Sequence, residues 1–210
     1  MAADPDQLTM NLARRRIHAA AMKLFAERGV TKVTISELAA AAGMARGTIY
    51  SHVPDVDRLF EEVAAQLARE MTERVVAGMV DVTDPAQRLA IGVRQYIRRA
   101  HDEPLWGQFM SRFGLSPALT LELLASDPVA DLRAGIESGR YRIRPEQLTG
   151  MVGLLVGGTL AAMLPVLDGH STWRDAGSDA AELLLIALGI SRDEARAIAT
   201  AELQPLPSLA

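Results

Sequence analysis

Residues 33–53 read VTISELAAAAGMARGTIYSHV, and this stretch decides the fold because it predicts two short helices with a turn between them. Thr34 and Glu37 have the Ser/Thr-x-x-Glu spacing of a capping box, so a helix is expected directly after Thr34. Gly43 predicts the end of that helix, because glycine readily takes the left-handed conformation of a helix C-cap. A further helix of about two turns is expected over 45–53.

The helix expected over 45–53 has two different faces. On a helical wheel Ala45, Ile49 and Val53 share one face, which predicts packing against neighbouring helices. The other side chains are small or polar, so they can approach a partner closely or donate hydrogen bonds to phosphate oxygens and base edges. The alternative is a solvated surface whose polarity is incidental. The side chains in question are Arg46, Gly47, Thr48, Tyr50, Ser51 and His52.

Composition and charge narrow the function classes. The chain has 210 residues, 49% of them hydrophobic and 23% charged, so it can bury a substantial core. It has no cysteine, which excludes disulfides, thiolate metal sites and cysteine nucleophiles. Residues 1–53 hold seven Lys and Arg against four Asp and Glu, a net charge of +3. Since the whole chain has a net charge of −4, the remaining residues carry −7. A basic N-terminal part indicates a local surface for an anionic partner.

The rest of the chain has helical periodicity, and no alternating run is long enough to predict a strand. We therefore expect an all-α fold with two domains: a three-helix helix-turn-helix domain at 1–55 and a larger helical domain at 56–210. Further helices are predicted over 57–80, 85–100, 105–113, 119–125, 129–137, 146–167, 179–188 and 193–202.

Three motifs in the N-terminal part occur in the order and spacing of a known family. They are A-x-x-L-F-x-x-x-G at 21–29, T-x-x-x-L-A-x-x-A-G at 34–43 and G-T-I-Y-x-H at 47–52. Over about residues 14–63 the sequence resembles TetR-family transcriptional regulators. The resemblance implies a homodimeric repressor that binds a palindromic double-stranded DNA operator and is released when a small molecule binds the C-terminal domain.

The resemblance also implies roles for single residues. Thr34, Tyr50 and His52 would contact the DNA backbone. The bases would be faced by Arg46, Gly47, Thr48 and Ser51. Two positions depart from the family pattern: Val56 replaces a lysine that contacts phosphate, and Val53 replaces an aromatic residue.

The twenty uncharged residues 148–167 are long enough to cross a membrane. The first sixteen residues lack the apolar core of a secretory signal, so a cytoplasmic protein without membrane contact is expected. Small residues at intervals along 148–167 favour instead a helix that packs closely in a subunit interface. The interface residues predicted are Gly153, Gly157, Ala161, Leu164, Leu184 and Leu188.

Aromatic and methionine side chains in the C-terminal part predict a pocket for an apolar or aromatic effector. His101 or Arg94 would supply a polar anchor. The alternative for each residue is ordinary core packing. The residues predicted to line the pocket are Tyr96, His101, Trp106, Phe109, Met110, Phe113, Met151 and Trp173.

Other function classes fit the sequence less well. The four histidines are far apart, and no HExxH motif or glycine-rich phosphate loop occurs, so neither an enzyme nor a metal or cofactor site is expected. A helical DNA-binding protein without effector control remains the second alternative. DNA binding that no ligand weakens would favour that alternative.

Overall fold

The structure is a computed structural model that describes the backbone of residues 5–124 and 127–207 and the side chains of 12–120 and 128–207. All regular secondary structure in these residues is helical, which confirms the expected all-α class. Two 3-10 turns, Val56–Arg58 and Pro145–Gln147, precede α4 and α9. The α-helices are α1 Pro5–Arg28, α2 Ile35–Ala42, α3 Arg46–His52, α4 Leu59–Ala77, α5 Pro85–Asp102, α6 Pro104–Phe113, α7 Pro117–Leu124, α8 Asp127–Glu137, α9 Leu148–Leu167, α10 Trp173–Ala187 and α11 Arg192–Thr200.

The fourth helix is shorter than the expected 57–80. Its first turn is the 3-10 turn Val56–Arg58, in which the Asp55 carboxylate accepts from the Asp57 amide (3.0 Å). Its last turn ends where the Gly78 amide bonds to two carbonyls at once, at 3.1 Å each. Shared bonds of this kind tighten and end a helix.

The tenth helix begins earlier than the expected residue 179. The Thr172 hydroxyl accepts a hydrogen bond from the Asp175 amide (3.1 Å), so Thr172 caps a helix that starts at Trp173. The Thr-x-x-Asp spacing was the signal for this start. The expected end of the seventh helix at Ala125 lies outside the described residues.

The chain divides into two compact units, a head unit, Met1–Gln66, and a body unit, Leu67–Ala210. The boundary falls inside α4, whereas the domains expected from the sequence meet between residues 55 and 56. The core of the head unit consists of apolar side chains from all its helices. Those with no exposed surface include Ile17, Phe25, Leu38, Ile49 and Leu59.

Helix α5 is the central helix of the body unit and packs against α6, α8, α9 and α10. Its approach to α6 requires a glycine, because a Cβ at Gly107 would lie only 2.8 Å from the Cβ of Ala100. Helix α4 is not among the helices packed closely against α5. Side chains and a cavity fill the space between them.

Helix α9 has one buried and one exposed face. Among the described residues, this is the one helix that is long and apolar enough to cross a membrane. Its buried face, which includes Leu155, Thr159 and Met163, packs on α5, α6 and α10. Leu154 and Leu164 on the opposite face are 60% and 50% exposed.

Candidate nucleic-acid interface and ligand cavity

The capping box expected at the start of α2 is present. The Thr34 hydroxyl accepts from the Glu37 amide (3.2 Å), and the Glu37 carboxylate accepts from the Thr34 amide (2.8 Å) and hydroxyl (2.7 Å). Arg28 Nη1 also lies 2.5 Å from Glu37 Oε1. These donors, the Thr34 amide foremost, lower the pKa of Glu37 to about 2.

This network bears on the predicted role of Thr34. Its hydroxyl has one proton, and Glu37 accepts it. A bond from this hydroxyl to a DNA phosphate would require the proton to change partner. Ser36, exposed in the first turn of α2, is a further donor that the sequence reasoning did not single out.

The turn between α2 and α3 requires its glycine. Gly43 has φ 61° and ψ 42°, in the left-handed region. The Met44 amide bonds to the Ala39 carbonyl (3.0 Å), and Arg16 Nη2 donates to the Ala42 carbonyl (3.0 Å). The last carbonyls of α2 are thereby bonded, and the chain is turned directly into α3.

Helix α3 divides its side chains between core and surface. Ile49 has no exposed surface and Val53 is 4% exposed, whereas Tyr50 is 63% exposed. A Cβ at Gly47 would meet no atom within 4 Å, so the face around it is open. Ala45, which was expected to point inward, is the exposed N-cap of the helix. Arg46, Gly47 and Ser51 are exposed with Tyr50, and Thr48 and His52 are half-buried.

Two polar side chains of α3 share one backbone acceptor. Ser51 Oγ donates to the Thr48 carbonyl at 2.9 Å, and His52 Nδ1 lies 2.9 Å from the same oxygen. His52 Nδ1 also lies 3.0 Å from Ser51 Oγ, so both of its hydrogen-bonding neighbours belong to its own helix. The Nε2 atom of His52 is therefore the ring nitrogen left for an outside partner.

Four of the eight Lys and Arg residues in the head unit form ion pairs with carboxylates that the structure describes. These four are Arg14, Lys23, Arg28 and Lys32. Arg46 has no ion pair among the described residues, and it stands on the exposed face of α3. Its guanidinium is therefore available to an anionic or hydrogen-bonding partner.

The body unit contains a cavity of about 310 Å³. Its walls come mainly from α4, α5 and α9, with further residues from α6, α7 and α8. A Cβ at Gly92 of α5, which lines the cavity, would meet no atom within 4 Å. The apolar lining includes Val75, Val76, Met79, Leu89, Val93 and Leu155.

Two pairs of polar side chains line the cavity, Arg88 with Asp131 and Tyr96 with Thr72. Arg88 Nε lies 2.9 Å from both oxygens of Asp131. Burial raises the pKa of Tyr96, and its hydroxyl hydrogen-bonds with Thr72. The charged lining residues are two arginines and two carboxylates: Arg69, Arg88, Glu73 and Asp131. The lining thus has no net charge.

The structure brings two of the eight predicted pocket residues to this cavity, Tyr96 and Met110. Trp106 and Phe109 are buried in the core beside it, and Trp106 packs on Tyr96 with ring centroids 5.7 Å apart. His101 is exposed, and the ring of Trp173 contacts the guanidinium groups of Arg98 and Arg174. The residues of the predicted set that do not line the cavity are His101, Trp106, Phe109, Phe113, Met151 and Trp173.

The sequence reasoning missed the α4 wall and the Arg88–Asp131 pair of the cavity. The signal available was the apolar periodicity of residues 57–80, which predicts a buried face on this helix. Among the described residues, no group of His, Asp and Glu side chains is arranged to hold a metal ion.

The predicted interface residues fall into two groups. Gly153 and Ala161 are exposed on α9, Leu164 is 50% exposed, and Gly157 is half-buried with no atom within 4 Å of a Cβ. By contrast, Leu184 and Leu188 are 7% and 0% exposed. These two leucines belong to the core of the protomer, so they leave little surface for a second copy.

A neighbouring leucine takes the exposed position on α10. Leu183 is 66% exposed. Leu184 was predicted for the interface and Leu183 was not, because a purely apolar run such as Leu183, Leu184 and Leu185 carries no sign of which residue faces out.

Two family models match the chain. One, described as "Bacterial regulatory proteins, tetR family", matches residues 17–63, and one described as "Tetracyclin repressor-like, C-terminal domain" matches residues 84–201. The second match alone spans more than half of the chain.

Individual relatives agree with these matches. An uncharacterised HTH-type transcriptional regulator of Mycobacterium tuberculosis is 30% identical over 93 residues, and the HTH-type transcriptional repressor Rv1474c of the same species is 47% identical over 64 residues. These matches cover 44% and 30% of this chain and 46% and 32% of those proteins, so the chain spans less than half the length of the curated relatives it matches.

Among solved structures, that of RolR in complex with its ligand resorcinol is similar along the whole chain. It has a TM-score of 0.66 and 26% sequence identity, and the match covers 96% of this chain and 100% of RolR. The matched families consist of transcriptional regulators and not of enzymes. The chain belongs to the TetR family of bacterial transcriptional regulators.

Proposed function

We propose that the protein is a homodimeric cytoplasmic repressor that binds a palindromic DNA operator through α3 and releases it when a small, uncharged aromatic molecule binds the cavity. Its relatives support repression, since Rv1474c is named a repressor. The observation that carries the DNA-binding part is the division of α3 between a buried Ile49 and an exposed polar face.

The exposed face of α3 has the size and chemistry to enter a major groove. Gly47 and Ser51 permit close approach, and Arg46 is the side chain there that can donate two hydrogen bonds to a guanine. Thr48 would add a shorter base contact. Tyr50 and His52 would bind phosphates. Thr34 would also do so once its hydroxyl proton is no longer donated to Glu37.

The palindrome follows from two-fold symmetry. Two copies of α3 related by such an axis would read two half-sites in opposite orientation, one helical turn or a multiple of it apart. Selection of duplexes from a random DNA pool by the purified protein tests this. We expect an enriched inverted repeat, and enrichment of a single unrepeated site would contradict it.

The ligand class follows from the lining of the cavity. An anionic ligand needs a cation without a partner, but the lining carries equal numbers of arginines and carboxylates, and Arg88 is paired with Asp131. The mainly apolar walls favour an aromatic or apolar molecule, with Tyr96 and Thr72 as hydrogen-bonding groups. The resorcinol bound by RolR is of this kind, which makes phenols suitable probes.

Filling the cavity tests the effector site. In a Gly92→Leu variant the new side chain projects into the cavity without an initial clash. We expect DNA affinity to be kept, while release of operator DNA by resorcinol or phenol, followed by fluorescence anisotropy, becomes at least about tenfold less sensitive to ligand. Gln87→Leu, at an exposed position of the same helix, is the matched control. Equal ligand responses of the two variants would contradict the assignment of the cavity.

The exposed faces of α9 and α10 provide the surface for the second copy. Leu154, Leu164 and Leu183 are half or more exposed, and the glycines between them allow close helix approach. A partner copy on this surface would cover the apolar face of α9. The apolar character of α9 is then accounted for without a membrane.

A further inference from the structure

The last described residues, 201–207, run without regular secondary structure across the body unit. Three side chains from two helices hold this segment by its backbone carbonyls. Arg94 Nη1 donates to the Ala201 carbonyl (2.7 Å), and Gln95 Nε2 donates to the Gln204 carbonyl (2.6 Å). Arg74 Nε donates to the Pro207 carbonyl (3.0 Å). Residues 201–207 are called the strap below.

The two donors on α5 are buried polar groups. Arg94 is 7% exposed and Gln95 is 4% exposed. Arg94 Nε and Gln95 Oε1 have no hydrogen-bond partner, and burial lowers the pKa of Arg94. Burying such groups is unfavourable unless they are hydrogen-bonded, so the carbonyls of the strap compensate for much of their desolvation.

The third donor lies near the end of α4. Arg74 is also 3.8 Å from a Glu70 oxygen and 3.5 Å from a Glu103 oxygen, which holds its guanidinium in place. Just after the end of α4, Pro207 Cδ lies 3.5 Å from the position of a Cβ at Gly78. The strap therefore contacts both α5 and the C-terminal end of α4.

These same two helices both line the cavity. Val75, next to Arg74, lines it from α4, and Val93, next to Arg94, lines it from α5. Helix α4 is not among the helices packed closely against α5. Direct bonds also join these helices, from Arg99 Nη2 to Glu70 Oε1 (2.8 Å) and between Tyr96 and Thr72, and the strap adds a further link at the C-terminal end of α4.

We propose that the strap holds the C-terminal end of α4 against α5 and thereby limits how often the cavity opens to a molecule from solvent. The inference that the strap limits effector entry rests on the proposed function. The inference that the strap limits opening of the cavity does not. A larger separation of α4 from α5 must break the Arg74–Pro207 bond or pull the strap away from the buried groups of α5. Weakening the strap should therefore raise the frequency of opening.

The chain has no cysteine, so a single introduced thiol can report the opening. Gly92→Cys places a thiol in the cavity, and its rate of reaction with an aromatic disulfide reagent measures access. Ala181→Cys places a thiol in the core of the same unit, at a residue with no exposed surface that does not line the cavity. The reaction at position 181 reports general unfolding.

Three changes weaken the strap in each reporter background. Arg74→Lys keeps the charge beside Glu70 and Glu103 but removes the Nε–H donor. Gln95→Leu removes the amide at similar volume, and deletion of residues 201–210 removes the strap. Arg133→Lys on α8 is the control for a charge-conserving change.

We expect the reaction at position 92 to accelerate about threefold to tenfold in the point variants, the range for loss of one hydrogen bond, and more in the deletion. The rate at position 181 should stay unchanged in the point variants. An unchanged rate at 92 in the point variants would overturn the proposal, and so would equal acceleration at 92 and 181. If the deletion does not fold, the point variants still decide. The thiol reaction rates are measured without an effector. They can therefore contradict the strap proposal while the effector proposal stands, and the reverse.

Discussion

His18 is a buried ionisable group in the head unit. It is 7% exposed, and its Nδ1 hydrogen-bonds with the side-chain oxygen of Gln66 on α4. Burial is the main cause that lowers the pKa of His18 below 6.5, while nearby Arg14 and Glu62 have smaller, opposite effects. The folded head unit therefore favours the neutral imidazole.

This preference predicts a dependence of stability on pH. As the pH falls below 6.5 the unfolded chain binds a proton at His18 before the folded one does, so the free energy of unfolding decreases until the folded pKa is passed. We expect urea unfolding at pH 7.5 and 5.5 to show a larger loss of stability in the wild type than in His18→Gln, whose side chain does not titrate. Equal losses would show that His18 does not contribute.

At the scale of the helices, two glycines of the helix-turn-helix have opposite effects on stability. Gly43 has φ 61°, where an alanine is strained, whereas Gly47 lies in a helix with open space around it. We expect Gly43→Ala to lower the free energy of unfolding by about 1–2 kcal/mol. Gly47→Ala should raise it by about 0.5–1 kcal/mol and yet weaken operator binding, because the methyl group faces the groove. Thermal unfolding and fluorescence anisotropy measure the two effects, and a stabilised Gly43→Ala variant would contradict the account of the turn.

The sequence predicted those helix ends and faces that depend on neighbouring residues. The capping box at Thr34 and the left-handed Gly43 gave the bounds of α2, and the spacing of Ile49 and Val53 predicted the buried face of α3. The start of α10 was missed, although the Thr172 cap is also local. The cavity could not be predicted in the same way, because its walls come from helices far apart in sequence, and aromatic content alone does not tell a lining residue from a core residue such as Trp106.

At the scale of the whole molecule, the proposed dimer depends on exposed leucines of α9 and α10. Leu183 on α10 is 66% exposed, and Leu115, between α6 and α7, is 67% exposed. We expect Leu183→Glu to yield a monomer in light scattering after size-exclusion chromatography, because each subunit would bury an unpaired carboxylate in the proposed interface. Leu115→Glu, an equally exposed leucine outside the proposed interface, should remain a dimer. A dimeric Leu183→Glu variant would place the interface elsewhere.

The central claim is that α3 reads DNA bases, and Arg46 is the side chain whose removal tests it most directly. The measurement is the affinity of wild type, Arg46→Ala and Tyr50→Phe for the selected operator and for a random duplex at one salt concentration. We predict that Arg46→Ala loses about 1–3 kcal/mol on the operator and much less on random DNA, whereas Tyr50→Phe weakens both duplexes alike. Equal losses on both duplexes for Arg46→Ala would contradict base recognition by α3.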